Sequence, residues 1–485
     1  MQPVLTKITG YGLLGVLTIS LSACGGSSSS STTETDSTDT TVSTDTETST
    51  SSSTEIVSDE SETTETVSDD TDDESETTET VSDDTDDDES ETTETVSDDT
   101  DDDDTETSTV TFASKALLGE ALFSDTSLSF NSTQSCSSCH NSDIAFIDNS
   151  ASDTDNAVSL GDDGFSLGNR NSPTLSYIAL NPSFTGDDED AEGGFFHDGR
   201  AADLAAQAGE PFLNPLEMGM PDQESVVSRI TADSDYVAAF EELYGDDVFD
   251  DTETAFAALA DSIVNFQQTD IFSPFDSKYD RALAGTYEMT DIEEEGMDLF
   301  FSNQASCLDC HHVDDLPNRS EDELFTSHRY FNIGVPVNQT LNALLESAGQ
   351  QDELRANGDL GLFNNPAVNG DDDTRGLFKV PTLRNVAVTG PYMHNGVFAN
   401  LQTVIHFYDH QGGNGRNGNG NNNRRPINPE TGEAWGDPET DENISNNRLR
   451  MPQLDDDEVE ALECFLRTLT DAAYESELSD SVDCS

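Results

Sequence analysis

Apolar residues recur at helical spacing only beyond residue 111. They do so in Lys115–Phe123, Leu204–Ala208, Val226–Ile230, Tyr236–Leu243, Ala255–Phe266, Ile292–Phe301, Leu401–Tyr408 and Val459–Leu469, the last an amphipathic closing helix. Between them, residues 141–196 are rich in Gly, Asn and Asp and read as loops. No segment sustains a period of two, so extended strands are not expected. The stretch Phe272-Ser273-Pro274-Phe275 reads as a linker, after which a second unit repeats the first: a helix, loops, the segment Phe378–Asn385 and Leu401–Tyr408. Residues 411–450, rich in Gly, Asn and Pro, read as an insertion in that unit. The pattern predicts an all-α body in two units, 111–272 and 273–485, joined by long loops.

The first 110 residues behave differently. Lys7 precedes an apolar run from Ile8 to Ile19, then Leu21-Ser22-Ala23-Cys24-Gly25. This has the n-region and h-region of an export signal, and the run is too short for a membrane span. The ending resembles a bacterial lipoprotein box, with residues 1–23 removed and Cys24 lipidated. Gly25 after the Cys resembles the pattern sorted to the outer membrane. The expectation is an exported protein held by acyl chains on the periplasmic or cell-surface side. Residues 24–110 are almost wholly Ser, Thr, Asp and Glu, with 32 acidic and no basic residues, and Ser61–Glu74, Ser75–Glu89 and Ser90–Asp104 are near copies. Such a segment cannot offset its ordering entropy by burial and is expected to be a disordered, self-repelling spacer. Its reach is about 50 Å r.m.s. or more.

Charge narrows the partners. The chain carries 101 acidic against 19 basic residues, a formal net charge of −82, and the body alone keeps 69 against 18. Nucleic acid and anionic lipid surfaces are thereby excluded. A basic partner and life in salty water both fit. Seven Cys are present. Cys464 and Cys484 can pair in an oxidising compartment or remain thiols.

Four other Cys carry the chemistry. Cys136-Ser137-Ser138-Cys139-His140 and Cys307-Leu308-Asp309-Cys310-His311 are two copies of Cys-x-x-Cys-His, the c-type haem attachment pattern. Two thiols three residues apart lie on one face of a helical turn, where both vinyl groups of one porphyrin can be bound, and the adjacent imidazole faces the iron. A zinc site would need a second ligand pair, and a thioredoxin-like dithiol a βαβ context; neither is evident. The expectation is two covalent haem c groups, with His140 and His311 as iron ligands.

Further stretches add a resemblance: Arg170-Asn171-Ser172-Pro173-Thr174-Leu175, Phe196-His197-Asp198-Gly199-Arg200, Gln207 with Pro211-Phe212-Leu213-Asn214-Pro215-Leu216-Glu217-Met218, Phe378-Lys379-Val380-Pro381-Thr382-Leu383-Arg384-Asn385, and Pro391-Tyr392-Met393-His394-Asn395-Gly396. Residues 111–470 resemble the bacterial di-haem cytochrome c peroxidase family, which includes the MauG-type enzymes. The resemblance implies two cytochrome c-like domains, a peroxide-reactive haem on His140, and an electron-transfer haem on His311 fed by a small cytochrome c, a cupredoxin or a similar donor. It implies Glu217 as the group that moves a proton between the peroxide oxygens, with Gln207 lining the same pocket. It also implies one Ca²⁺ between the domains, held by Asn171 and the carbonyls of Thr389 and Pro391, all hard oxygen donors. His394 and Arg384 would contact haem propionates. His312 and His328 read as surface residues, and a homodimer is allowed.

The sequence departs from the family in three places. Residues 141–196 contain no His, so the family's removable cap on the reactive haem is missing and that haem is expected to be open when oxidised. The family's Trp between the haems falls at His197, and the only Trp is Trp435; relay through this place then needs His197 or a nearby aromatic, or His197 merely bonds a propionate. The family's Met ligand on the second haem falls at Tyr408, as in MauG-type enzymes. A phenolate would favour ferric and higher-valent iron; alternatively Tyr408 is a buried aromatic with His406 or His410 nearby. The leading expectation is a peroxidase reducing H₂O₂ to water. MauG-like oxidation of a protein side chain is the rival, and a non-enzymatic electron-transfer cytochrome the third reading, which the missing cap argues against.

Overall fold

The computed structural model describes residues 112–485 apart from 152–153, 188–189, 303, 312–322, 351–357, 369, 413–423, 446–447 and 450–452. The expected signal segment, Cys24, the acidic spacer and His312 lie outside the described residues. The body is mostly helical, and no described helix is long and apolar enough to cross a membrane.

One helix pair organises the first half. Helix α1 (Lys115–Ser124) starts where Ser114 caps the Leu117 amide and buries Leu118, Gly119, Leu122 and Phe123. Downstream lie the four-residue α2 (Cys136–Cys139), α3 (Leu204–Leu213), α4 (Gln223–Thr231) and α5 (Ser234–Tyr244). Helix α6 (Thr252–Gln267), capped by Asp251, crosses α1 at Gly119. The approach is so close that a Cβ at Gly119 would lie 1.9 Å from the Ser262 carbonyl oxygen. Phe123 meets Phe266 edge-on at 5.4 Å.

The second half repeats the device. After α7 (Lys278–Leu283), helix α8 (Asp291–Phe300) opens with a capping box between Thr290 and Glu293. Helix α9 (Gln339–Ala348) and α10 (Leu401–Gly412) follow, then α11 (Asp456–Arg467), which packs along α8. A Cβ at Gly296 would lie 1.8 Å from the Ala461 carbonyl oxygen, and Phe300 meets Phe465 at 5.1 Å. Gly119-x-x-Leu122-Phe123 and Gly296-x-x-Leu299-Phe300 are thus one packing solution used twice. Each pair anchors its own apolar cluster, one from Leu118 to Phe272 and one from Tyr279 to Leu469.

Among the described residues the one strand pair is β1 (Tyr330–Phe331) with β2 (Phe378–Lys379), antiparallel with Tyr330 opposite Lys379, and other β contacts are isolated bridges. The segment 378–385 therefore begins as a strand, and Pro381, without an amide hydrogen, keeps it from continuing as a helix. Helices α7 and α9 were not anticipated. The described part of the insertion packs on the body: Arg424 and Arg425 both pair with the buried Asp409 of α10, and Trp435 packs on Phe398, Phe407 and His410. Cys464 and Cys484 form the anticipated disulfide, pinning the C-terminal tail to α11.

Candidate haem sites and the carboxylate beside the first

Both Cys-x-x-Cys-His motifs form tight turns: α2, and a 3₁₀ turn over Cys307–Asp309, with each His amide donating to the carbonyl of the first Cys at 2.9 and 2.8 Å. The two imidazoles are then held alike. His140 Nδ1 lies 3.0 Å from the Phe146 carbonyl oxygen, and His311 Nδ1 lies 2.8 Å from that of Phe325. Both Phe residues are left-handed, with φ of 57° and 54°, which turns their carbonyls toward the ring. A Thr braces each turn from behind: Thr174 Oγ1 donates to Ala145 O at 2.5 Å and Thr382 Oγ1 to Leu324 O at 2.7 Å. A carbonyl can only accept, so Nδ1 carries the hydrogen and Nε2 keeps its lone pair for a metal. Burial also holds His140 below the ordinary imidazole range, in the neutral form that ligates.

The four thiols are unpaired and half-buried. Burial pushes Cys136, Cys139 and Cys307 up to about 12 and Cys310 to about 11. A cavity of about 290 Å³ opens beside the second motif, walled by Cys307, Cys310, His311, Leu462, Leu466 and Tyr408. In the first half, Gln207 Oε1 is buried without a hydrogen-bond partner among the described residues. A buried acceptor left unmatched in the polypeptide points to a missing neighbour. Thiol pairs, latched imidazoles, the apolar cavity and this orphaned acceptor fit a covalent haem c at each motif.

Glu217 stands at the first motif. It follows α3 in the turn closed by Glu217 N to Asn214 O at 3.0 Å, and Asn214 Nδ2 donates to Glu217 Oε1 at 2.7 Å. After burial, its charge also raises both Cys136 and Cys139, so the carboxylate lies within electrostatic reach of the attachment thiols. Burial lifts the Glu217 carboxyl above the usual range, partly opposed by Arg200 and the Asn214 bond.

Tyr408, on α10, shares the cavity with Cys307, Cys310 and His311, and its phenol is raised by burial first and then by the Cys310 and Cys307 thiols. Asn171, Thr389 and Pro391 line the same cavity. The Asn171 peptide is clamped between the two halves: its amide donates to His394 O at 2.8 Å, and its carbonyl accepts from His197 Nε2 at 3.0 Å. Burial and the neighbouring Arg170 push His197 down to about 3, so it is neutral and a donor at Nε2. Arg170 in turn bridges Asp198 at 2.7 Å and Asp359 at 2.5 Å.

Several expectations are corrected. Arg384 is fully buried, pairs with Asp280 at 2.6 Å and does not line the cavity beside the second motif. His394 does line the cavity, but its Nε2 is taken by Glu439 at 2.9 Å and its ring stacks on Phe378 at 3.6 Å. His328 is no surface residue: it is half-buried, and burial and Lys379 push it to about 4. The expectation of a His beside Tyr408 is not overturned: His410, on the same helix, bonds the Arg424 carbonyl through Nδ1 at 3.0 Å. Sequence reasoning missed Asp359, Glu439 and Asp471, acids with no motif around them to mark them. It quoted Lys379 without giving it a role; burial lowers that amine to about 8, and its Nζ donates to Gly194 O at 2.5 Å.

Comparison with known proteins gives one consistent answer. A family profile described as di-haem cytochrome c peroxidase matches residues 113–288. The methylamine utilization protein MauG of Paracoccus denitrificans is 47% identical over 372 residues, 76% of this chain and 91% of that protein. The cytochrome c551 peroxidase of Nitrosomonas europaea is 30% identical over 296 residues, 60% of this chain and 72% of that protein. The crystal structure of the diheme peroxidase BthA from Burkholderia thailandensis superposes with a TM-score of 0.63 at 28% identity, covering 77% of this chain and 90% of that one. The chain belongs to the di-haem cytochrome c peroxidase family.

Proposed function

We propose that the protein reduces H₂O₂ to two waters, using two protons and two electrons delivered singly by a small cytochrome c or cupredoxin. The single observation that carries the reading is Glu217, a half-buried carboxyl, raised by burial and within electrostatic reach of both thiols of a Cys-x-x-Cys-His motif. The haem on Cys136, Cys139 and His140 would supply the iron that takes peroxide, and that on Cys307, Cys310 and His311 the relay of electrons. Glu217 accepts the proton of the near peroxide oxygen and returns it to the far one, so that water leaves. Asn214 fixes the carboxylate, and Gln207 lines the pocket as a hydrogen-bonding neighbour. The two halves, 111–272 and 273–485, act as two cytochrome c-like domains, with Ca²⁺ on Asn171 and the carbonyls of Thr389 and Pro391 at their junction. Cys24 anchors the chain by lipid at the outer membrane, and the acidic spacer lets the body roam. With no His in 141–196, the reactive face is open in the oxidised state.

The test is Glu217→Gln. Both haem spectra should persist while turnover falls by roughly 10²–10⁴, the worth of a positioned acid–base group. Full activity would remove Glu217 from the mechanism. One observation favours a second reading, MauG-like oxidation of a protein side chain: Tyr408 lines the cavity beside the second attachment motif, where a phenolate would support higher-valent iron. Its signature is a persistent haem spectral change with little donor oxidised.

A further inference from the structure

We infer that Tyr177 is a redox-active residue that yields one electron to the peroxide-oxidised site at His140 while its proton passes to Asp471. The inference rests on the peroxidase reading. Tyr177 Oη donates to Asp471 Oδ1 at 2.6 Å, and the two side chains are 1% and 0% exposed. The acceptor is fixed on its other side: Asn385 Nδ2 donates to Asp471 Oδ2 at 2.7 Å, and Asp471 N donates to Asn385 Oδ1 at 2.8 Å. The phenol therefore faces a dry base that does not reorient.

The internal repeat sharpens the point. Tyr177 and Asn385 are equivalent, each following Pro-Thr-Leu-x, each left-handed with φ of 62° and 61°, and each opening a 3₁₀ turn. Asn385 shows that an amide suffices to hold Asp471. Tyr177 places an oxidisable group there, against a buried carboxylate that is costly to desolvate.

Charge decides the form of the step. The Arg384 guanidinium sits 5.4 Å from the Tyr177 ring centre and 5.0 Å from that of Phe275. Removing an electron alone would set a second positive charge beside it in a low-dielectric interior. If the Tyr177 O–H bond breaks and the proton moves to Asp471 Oδ1, the products are a neutral phenoxyl radical and a carboxylic acid, and the carboxylate has compensated the lost electron. The electron's path is short in contacts. Tyr177 N donates to Phe272 O at 2.7 Å. Phe272 stacks on Phe146 at 4.2 Å and 19°, and the Phe146 carbonyl holds His140 Nδ1. One oxidising equivalent can thus wait inside the protein until a donor arrives, when an electron and the Asp471 proton restore the phenol.

The experiment treats the as-isolated holoprotein with H₂O₂ in the absence of donor, and freezes samples for EPR alongside absorption spectra. The expected result is a tyrosyl radical in the wild type that is lost in Tyr177→Phe, with the peroxide-induced haem change retained. Asp471→Asn, which removes the proton acceptor, should lose it too, and this variant decides the matter if Tyr177→Phe does not fold. A haem change without any tyrosyl radical, or an equal radical in Tyr177→Phe, overturns the inference and leaves the peroxidase reading standing. Haems unmoved by peroxide overturn both.

Discussion

Consider Gly296→Ala. The α8–α11 contact leaves an added Cβ 1.8 Å from the Ala461 carbonyl oxygen and 2.9 Å from Phe465 Cβ, where real Cβ contacts begin near 3.0 Å. The obstacle is backbone, so no rotamer change relieves it, and α8 has to retreat by more than an ångström along a face that buries Phe300. Overpacking of this kind costs about 3 kcal/mol, and the better helix propensity of Ala returns up to about 1 kcal/mol. A net loss of about 2 kcal/mol lowers Tm by roughly 4–8 °C at the per-kcal shift of large domains. The displacement also has an address. Leu462 and Leu466 of α11 wall the cavity beside Cys307 and His311, so the second haem's spectrum should shift while the first holds. Gly119→Ala, 1.9 Å from Ser262 O, should show the mirror image, and Gly168→Ala, whose nearest contact would be 3.5 Å, should be close to neutral. Thermal melts followed by circular dichroism and by haem absorption read both effects. If Gly296→Ala melts within about 1 kcal/mol of wild type, the reasoning from helix contact is refuted.

The disulfide and the buried Asp471 carboxyl give two further outcomes. Replacing Cys464 and Cys484 by Ser opens a loop with a sequence separation of 20, and should cost about 3 kcal/mol, read as a lower Tm that reducing agent reproduces in the wild type. Burial raises Asp471 from 3.8 to about 6. The folded state then holds a proton that the unfolded state has released, so this group's contribution is complete below about pH 4 and is lost as pH rises through 6. Against Asp471→Asn, wild-type stability should fall between those limits by about 1.4 kcal/mol per pH unit, measured by denaturant titration; a flat difference would contradict it.

Much of the helical frame could be read from apolar spacing, because α1, α6, α8 and α11 are amphipathic or fully apolar on the face they bury. Helix α9 carried its own signals, Asn338 as cap and Leu341 and Leu345 on one face, yet its setting among loop-forming residues masked them. The attachment motifs were legible because their spacing is dictated by local chemistry. What holds the imidazoles was not: two left-handed Phe residues present the carbonyls, and nothing in a Phe side chain announces a positive φ. Long-range polar pairing was equally hidden. Tyr177 and Asp471 are 294 residues apart, and Arg384 looked like a site residue from its motif although Asp280 consumes its charge. Charged groups choose partners by three-dimensional proximity, which periodicity does not encode.

The central claim is an open peroxide site served by Glu217. The most direct test is H₂O₂ turnover by the as-isolated, fully oxidised protein supplied with a reduced small cytochrome c, with donor oxidation and haem spectrum followed together. The account predicts rapid donor oxidation from the first turnover with no pre-reduction step. Donor oxidation that begins only after one-electron reduction of the protein would show a capped reactive haem and contradict it.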